Sequence, residues 1–356
     1  MSLKNDGLKI FLMSAGALTL SSLALVWYKR NKKLRDELKL REKVLSSPDT
    51  SWKKVANVCR LFCYPLKSGK GKSVKECFFG EYGISIDGGD RYIEDRMFVV
   101  FDENTRKFVT GRSHPKLLLV ECSFVNLNRA RFEADDVRPL EFDLPDYDSL
   151  PVPFIMWFGE RVNGIDCGSE PARWLSRYLN NTESGLRVAL RIPQNRRMIT
   201  EGAWEPWAKV YPNMRNEDSG LFSDLASYML LSNESVFDLN QRMSRPIPAL
   251  QLRPNIVVEG CEVPYAEDDW EWIKIGDQAI IRRFKLCTRC SMTRVDPDTG
   301  VPDPSYETLK TLKSYRKIKD NVLDTVEKNA PTIGIYCGLY RPGTVRANDN
   351  VYVYQG

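Results

Sequence analysis

Residues 287–300 read Cys287-Thr288-Arg289-Cys290-Ser291-Met292-Thr293-Arg294-Val295-Asp296-Pro297-Asp298-Thr299-Gly300. The stretch follows a basic strand and runs into turn residues of the Asp/Pro/Gly kind. Arg282, Arg283, Lys285 and Arg289 crowd the two thiols with positive charge. That favours a thiolate at Cys290, at Cys287, or at both, and such a thiolate is a soft metal ligand or a nucleophile. Spacing alone does not choose between the two cysteines. Half a zinc site is one reading, but no second CxxC exists and the only histidine is His114. A thioredoxin-like pair lacks its βαβ context. A redox-sensing disulfide and two unrelated thiols complete the alternatives. Asp296–Gly300 reads as a structural turn that closes the loop after Cys290.

Outward from this stretch, 356 residues can hold two modest domains with ample core. The formal net charge is +5. Residues 29–45 carry eight Lys/Arg and three Asp/Glu, so eight minus three accounts for the whole excess. The remaining chain is neutral in sum, which argues against a nucleic-acid binder, whose basic face sits on the folded part. Residues 10–27 contain no charge. As a helix at about 1.5 Å per residue they would span roughly 27 Å, close to a hydrocarbon core of about 30 Å. Trp27 and Tyr28 stand where an interfacial belt would, and the basic run follows at once. The pattern predicts a single N-terminal membrane anchor over 1–28, a charged stalk over 29–51, and a cytosolic folded part. A cleavable signal peptide would carry its charge before the apolar run. The nine cysteines are odd in number and irregular in spacing, as in a reducing compartment.

The folded part reads as rich in short strands bounded by turn residues. The candidates are Met97–Phe101, Lys116–Cys122, Leu186–Ile192, Ile256–Glu259, Ala279–Phe284, Thr332–Tyr336 and Val351–Tyr354. Helices are expected over Glu170–Leu179, Glu234–Met243 and Ser305–Arg316. Strands and helices do not alternate regularly, which argues against a doubly wound parallel sheet. The expected class is α+β with barrel-like antiparallel sheets. The Pro-rich region 138–153 and the polar stretch 180–220 are expected as long loops or boundaries.

Three further clusters carry candidate chemistry. Lys67-Ser68-Gly69-Lys70-Gly71-Lys72-Ser73 is basic and glycine-bearing, but position 66 is Leu66, so it is not a Walker A loop. It suits a phosphate through ammonium, hydroxyl and backbone groups, or serves as a plain surface loop. Arg96 follows Asp95 at a strand start, in reach of an anionic ligand or in a structural ion pair. Arg253-Pro254-Asn255 brings a planar fork, a stiff φ and a donor-acceptor amide ahead of Ile256. By itself that set is more often a turn.

Together these pieces resemble the MOSC-domain family of molybdenum enzymes, in its amidoxime-reducing branch. Tyr64–Ser68 and Asp95-Arg96 resemble its N-terminal subdomain. Arg253–Asn255, Tyr265–Trp270, Cys287–Gly300, Glu307–Lys310 and Lys313–Arg316 resemble the main subdomain, in order. The similarity extends over nearly everything after residue 52. It implies a β-barrel-rich MOSC fold with an N-terminal MOSC subdomain over 52–180 and a MOSC domain over 181–356, behind the single transmembrane helix. It implies a molybdenum cofactor (Mo-molybdopterin) with Cys290 as the protein thiolate on the metal. Lys67, Ser68, Arg96, Arg253, Asn255, Thr288 and Arg289 are then expected at the pterin and phosphate, and Asp224 beside the metal. Leu225 and Ala226 depart from the family pattern, where hydroxyl residues are frequent. The implied activity is reduction of N-hydroxylated compounds to the N–H level plus water, with electrons from NADH through cytochrome b5 reductase and cytochrome b5. The implied site is the mitochondrial outer membrane; an endoplasmic-reticulum or peroxisomal anchor has the same sequence character. The alternative is a cofactor carrier or sulfur-transfer module without reductase activity.

Overall fold

The computed structural model describes residue 32 and residues 35–89 and 92–356. It divides into one unit that runs through Ser51 and takes up Gln355–Gly356, and a second, Trp52–Tyr354. In the first unit residues 35–45 are helical. Ser46 and Ser47 return their hydroxyls to the carbonyls of Glu42 and Lys43, and Pro48 prevents continuation. Among the described residues no helix is long and apolar enough to cross a membrane. The expected span, residues 10–27, lies outside the described residues.

The second unit is built on an 8-stranded sheet that closes on itself. Its order is Ile256–Glu259, Tyr228–Ser232, Thr332–Arg341, Ala279–Thr288, Trp272–Ile275, Asn350–Tyr354, Trp52–Cys63 and Lys72–Val74. An extra pairing of Trp52–Cys63 with Ile256–Glu259 completes the barrel. Closure pairs the barrel strands on both sides and leaves Lys72–Val74, bonded only to Trp52–Cys63, as an edge. All pairings are antiparallel except Tyr228–Ser232 with Ile256–Glu259. The long strand Trp52–Cys63 is alternately buried at first and then continuously buried to Cys63, where both its faces are covered. Two four-stranded sheets and a three-stranded sheet complete the unit. The largest core cluster draws on all of them, from Val58 and Phe98 through Phe132 to Ile335. The expected barrel-like α+β architecture is what the chain adopts.

Several local expectations need correction. Lys116–Cys122 is not one strand: Pro115–Leu119 is a 3-10 turn started by proline, and the strand is Glu121–Asn126. Region 138–153 is not a loop throughout, because Val137–Asp143 is an edge strand. Its Pro139 falls where the register shifts, a place that needs no N–H. The stretch 180–220 contains the strand Leu186–Leu190 and the short helix Glu205–Val210. The helix expected over Glu170–Leu179 runs Ser169–Asn180, preceded by Gly168 at φ 89° with no side-chain cap. All nine cysteines are free thiols.

Candidate functional site

Five strand ends and the loops beyond them meet at one cleft. Tyr64–Ser68 leave the strand Trp52–Cys63, and Arg96 precedes Phe98–Asp102. Ser223 and Asp224 precede Tyr228–Ser232, Arg253–Asn255 precede Ile256–Glu259, and Thr288–Cys290 end the strand Ala279–Thr288. All nine residues expected from the sequence line this cleft, which encloses about 770 Å³ counting its open mouth.

The backbone is forced into shape here. Ser68, Arg96 and Arg253 have φ of 62°, 52° and 54°, a left-handed conformation that residues with a Cβ adopt at a cost of about 1–2 kcal/mol each. Hydrogen bonds hold them there. Arg96 N donates to Tyr64 O at 2.6 Å, Arg96 O accepts from Phe222 N at 3.1 Å, and Arg253 N donates to Leu250 O at 2.9 Å. The buried Tyr64 ring faces both guanidinium groups, each 4.3 Å from its centroid, and its hydroxyl donates to Pro254 O at 3.0 Å. Gly71 makes this possible, since a Cβ there would lie 2.5 Å from the Tyr64 ring. In the basic loop Lys67 and Ser68 turn inward while Lys70 and Lys72 stay exposed. Phosphate-loop and surface-loop readings each describe half of it.

Asp224 is anchored by two donors on one oxygen. Lys67 Nζ reaches Oδ1 at 2.5 Å and Trp157 Nε1 reaches the same atom at 2.8 Å. Burial works to raise the carboxyl, but Lys67 and Trp157 outweigh it and hold Asp224 well below the usual carboxylate range. Its side chain is still 49 % exposed, toward the mouth of the cleft. Burial pushes the Lys67 ammonium down to about 8, against the pull of Asp224. Behind the loop, Arg197 forms a bidentate pair with Glu160 (2.8 and 2.6 Å) and donates to Ser223 O at 2.6 Å. Asn255 is buried, and its amide is spent on backbone: it accepts from Met229 N at 3.2 Å and donates to Phe62 O at 3.3 Å. It braces the cleft floor.

The structure separates the two cysteines. Cys287 is 0 % exposed within a core cluster, and its sulfur accepts from Arg289 Nη1 at 2.9 Å. Cys290 lines the cleft, with its carbonyl fixed by Thr293 Oγ1 at 3.0 Å. The lowering expected at one or both thiols is not found at Cys290. Burial, with Asp224 second, pushes it up despite Arg112 and Arg289. Three of the four cations credited with lowering it are committed elsewhere: Arg282 pairs with Glu271 at 2.6 Å, Lys285 pairs with Glu327 at 2.7 Å, and Arg283 donates to Trp270 O at 2.9 Å.

The cleft fits an anionic, polar group with a soft metal. Lys67, Arg96, Arg112, Arg253 and Arg289 line it against one carboxylate, Asp224. Arg253 Nη2, Arg289 Nε and Ser223 Oγ are buried with no hydrogen-bond partner among the described residues. Buried donors are otherwise satisfied as a rule, so three orphans at one cleft mark a missing acceptor. Arg112, Trp157, Ser223 and the Arg197–Glu160 pair escaped the sequence reading. Each stands alone in sequence, and only the doublet Arg196-Arg197 offered any signal.

A closed barrel carrying a cysteine at a cationic cleft, with further sheets inserted mainly between its strands Lys72–Val74 and Tyr228–Ser232, defines a MOSC-type protein. The MOSC domain matches residues 217–352 and the MOSC N-terminal beta barrel domain matches residues 55–182, so the chain belongs to the MOSC family. Within it, the chain is similar to the mitochondrial amidoxime-reducing component 1 of Mus musculus, at 33% identity over 302 residues, 84% of this chain and 82% of the relative. It is similar to component 2 of Rattus norvegicus at 33% over 301 residues (84% and 83%), and to component 1 of Homo sapiens at 32% over 302 residues (84% and 83%).

Proposed function

We propose that the protein is a membrane-anchored, molybdenum-cofactor-dependent reductase of N-hydroxylated compounds, amidoximes among them. The observation that carries this reading is the meeting of nine expected residues in one cleft that also holds three orphaned donors. Relatives named amidoxime-reducing components support it.

When bound, the molybdenum cofactor supplies two-electron redox chemistry at a metal with soft sulfur ligands. Cys290 is the protein ligand; its thiol, raised by burial, loses its proton on metal binding. Lys67, Ser68, Arg96, Arg253, Thr288 and Arg289 receive the phosphate and pterin, and the orphaned nitrogens of Arg253 and Arg289 are the donors in waiting. Asn255 keeps the floor in register. Asp224 stays ionised at neutral pH, so it acts as acceptor and fixed charge. Both its donors take Oδ1, which leaves Oδ2 for an N–H of the substrate. The overall change is N–OH plus two electrons and two protons to N–H plus water. Electrons come from NADH through cytochrome b5 reductase and cytochrome b5. In this reading residues 52–180 and 181–356 are the two subdomains, and residues 10–27 anchor the protein in the mitochondrial outer membrane.

The test is turnover of benzamidoxime by cofactor-loaded protein with cytochrome b5 and its NADH-dependent reductase, beside metal analysis. Benzamidine formation with stoichiometric molybdenum is expected. Molybdenum without product would mark a cofactor carrier, and protein that never takes up molybdenum would end both readings.

A further inference from the structure

A second cavity opens onto the same rim. It shares Asp224, Arg289 and Cys290 with the cleft and encloses about 980 Å³ including its mouth. Its walls are Trp157, Phe158, Trp204, Trp207, Leu225 and Val326. With Tyr336, five aromatic rings line the cavity that also holds the cysteine of the cleft. Leu225, one of the residues that depart from the family's hydroxyl pattern, makes this wall apolar.

The rings are arranged for contact with something flat. Phe158 packs edge-on to Trp204 at 5.1 Å and lies tilted over Trp207 at 4.3 Å, while Trp204 and Trp207 meet at 5.3 Å. Trp204 cannot turn away, because its Nε1 donates to Glu160 Oε2 at 2.9 Å and Glu160 is locked by Arg197. Phe158 is the unusual member. It has φ 58° and ψ 19° and is 59 % exposed. A left-handed aromatic residue is strained, and strain of this kind persists where surrounding structure imposes it. The tight turn through Met156 and Glu160, closed by bonds of 2.8 and 2.9 Å, imposes it here. The turn thus presents an aromatic ring to the cavity when burial in the core was the cheaper fate.

Charge narrows the occupant. Arg112, Lys285, Arg289 and Lys328 line the cavity against Asp224 and Glu327. Both carboxylates are already paired, Asp224 with Lys67 at 2.5 Å and Glu327 with Lys285 at 2.7 Å. The Arg112 guanidinium carbon sits over the Trp157 ring, 3.8 Å from its centroid. A cationic ligand meets four cations against two carboxylates that are each already ion-paired, and an uncharged flat one finds rings.

We infer that this cavity is the substrate vestibule, and that it selects uncharged N-hydroxylated compounds bearing a planar aromatic substituent, with Trp207 and Phe158 as specificity-determining residues. The inference rests on the reductase reading for its reacting end and on the cavity walls for its aromatic end. An aryl group lying against Trp207 and Phe158 places its N–OH at the shared rim of Asp224 and Cys290.

The experiment compares benzamidoxime with acetamidoxime in the full-length, cofactor-loaded protein. Trp207→Ala and Phe158→Ala remove half-buried or exposed rings, so the fold survives. For benzamidoxime each is expected to raise KM about tenfold, as the loss of most of one ring contact would. KM for acetamidoxime and kcat for both compounds should not change, and Trp207→Phe should restore most of the benzamidoxime KM. Calorimetric titration of benzamidoxime into oxidised protein without electron donor should show the same tenfold rise in Kd. Equal effects on both compounds, or on neither, would overturn the vestibule. If wild-type protein binds benzamidoxime through these rings but reduces neither compound, the vestibule stands and the reductase reading falls.

Discussion

Arg197 and Arg253 both bury a guanidinium near Asp224, yet they are surrounded in opposite ways. Arg197 sets two nitrogens on Glu160 and a third on Ser223 O. Arg253 has its backbone in the left-handed region and keeps Nη2 buried without a partner among the described residues. Burial pushes its guanidinium down to about 10. A buried charge is costly unless paired and hydrogen-bonded. The first arrangement meets that condition within the chain and serves as a rivet. The second meets it only when an anion arrives. The contrast separates residues that hold the cleft from residues that wait in it.

The largest expected effect comes from breaking the rivet. Glu160→Ala leaves Arg197 buried and uncompensated, which should cost about 3–5 kcal/mol by urea unfolding. Arg253→Met should do the reverse. Cofactor-free stability should stay level or rise, while cofactor affinity falls by about 1.5–3 kcal/mol, roughly tenfold to a hundredfold, the value of a hydrogen bond to a charged group. If Arg253→Met unfolds like Glu160→Ala, the distinction between the two sites is wrong. Asn255→Ala should fall between them, losing about 1–3 kcal/mol by leaving Met229 N–H and Phe62 C=O without their side-chain partner. Its cofactor affinity should fall only as far as the fold loosens.

Lys67 gives the smallest effect and a sign to check. Its folded pKa of about 8 lies below the ordinary 10.5. Between those values the unfolded chain binds a proton that the folded chain has released. Stability of the cofactor-free protein therefore rises with pH across that window. Lys67→Met should flatten the rise. Cofactor affinity should move the other way and weaken above pH 8, as the ammonium facing the anion is lost.

The residues that gather at the cleft were more legible than the fold around them. Residues such as Lys67, Arg253 and Cys290 sit in compact runs with turn chemistry at strand ends, so their chemistry and their spacing appear together. The strand Trp52–Cys63 left no such trace. It pairs with Asn350–Tyr354, Lys72–Val74 and Ile256–Glu259 in turn, and its burial changes from alternating to continuous along its length. No single period describes it. Phe158 and Trp204 stand far apart in sequence, and only the turn at Met156–Glu160 and the helical start at Glu205 bring their rings to 5.1 Å. The thiol of Cys290 misled the reading for another reason. Four cations adjoin it in sequence, but strand pairing directs Arg282 and Arg283 to Glu271 and Trp270, and burial prevails.

The central claim is the sulfur at Cys290 on the metal. Molybdenum K-edge absorption of cofactor-loaded protein tests it directly when wild type and Cys290→Ser are compared. The account predicts one fewer sulfur scatterer in the variant, replaced by oxygen or nitrogen. An unchanged sulfur shell would contradict it and would move the ligand elsewhere.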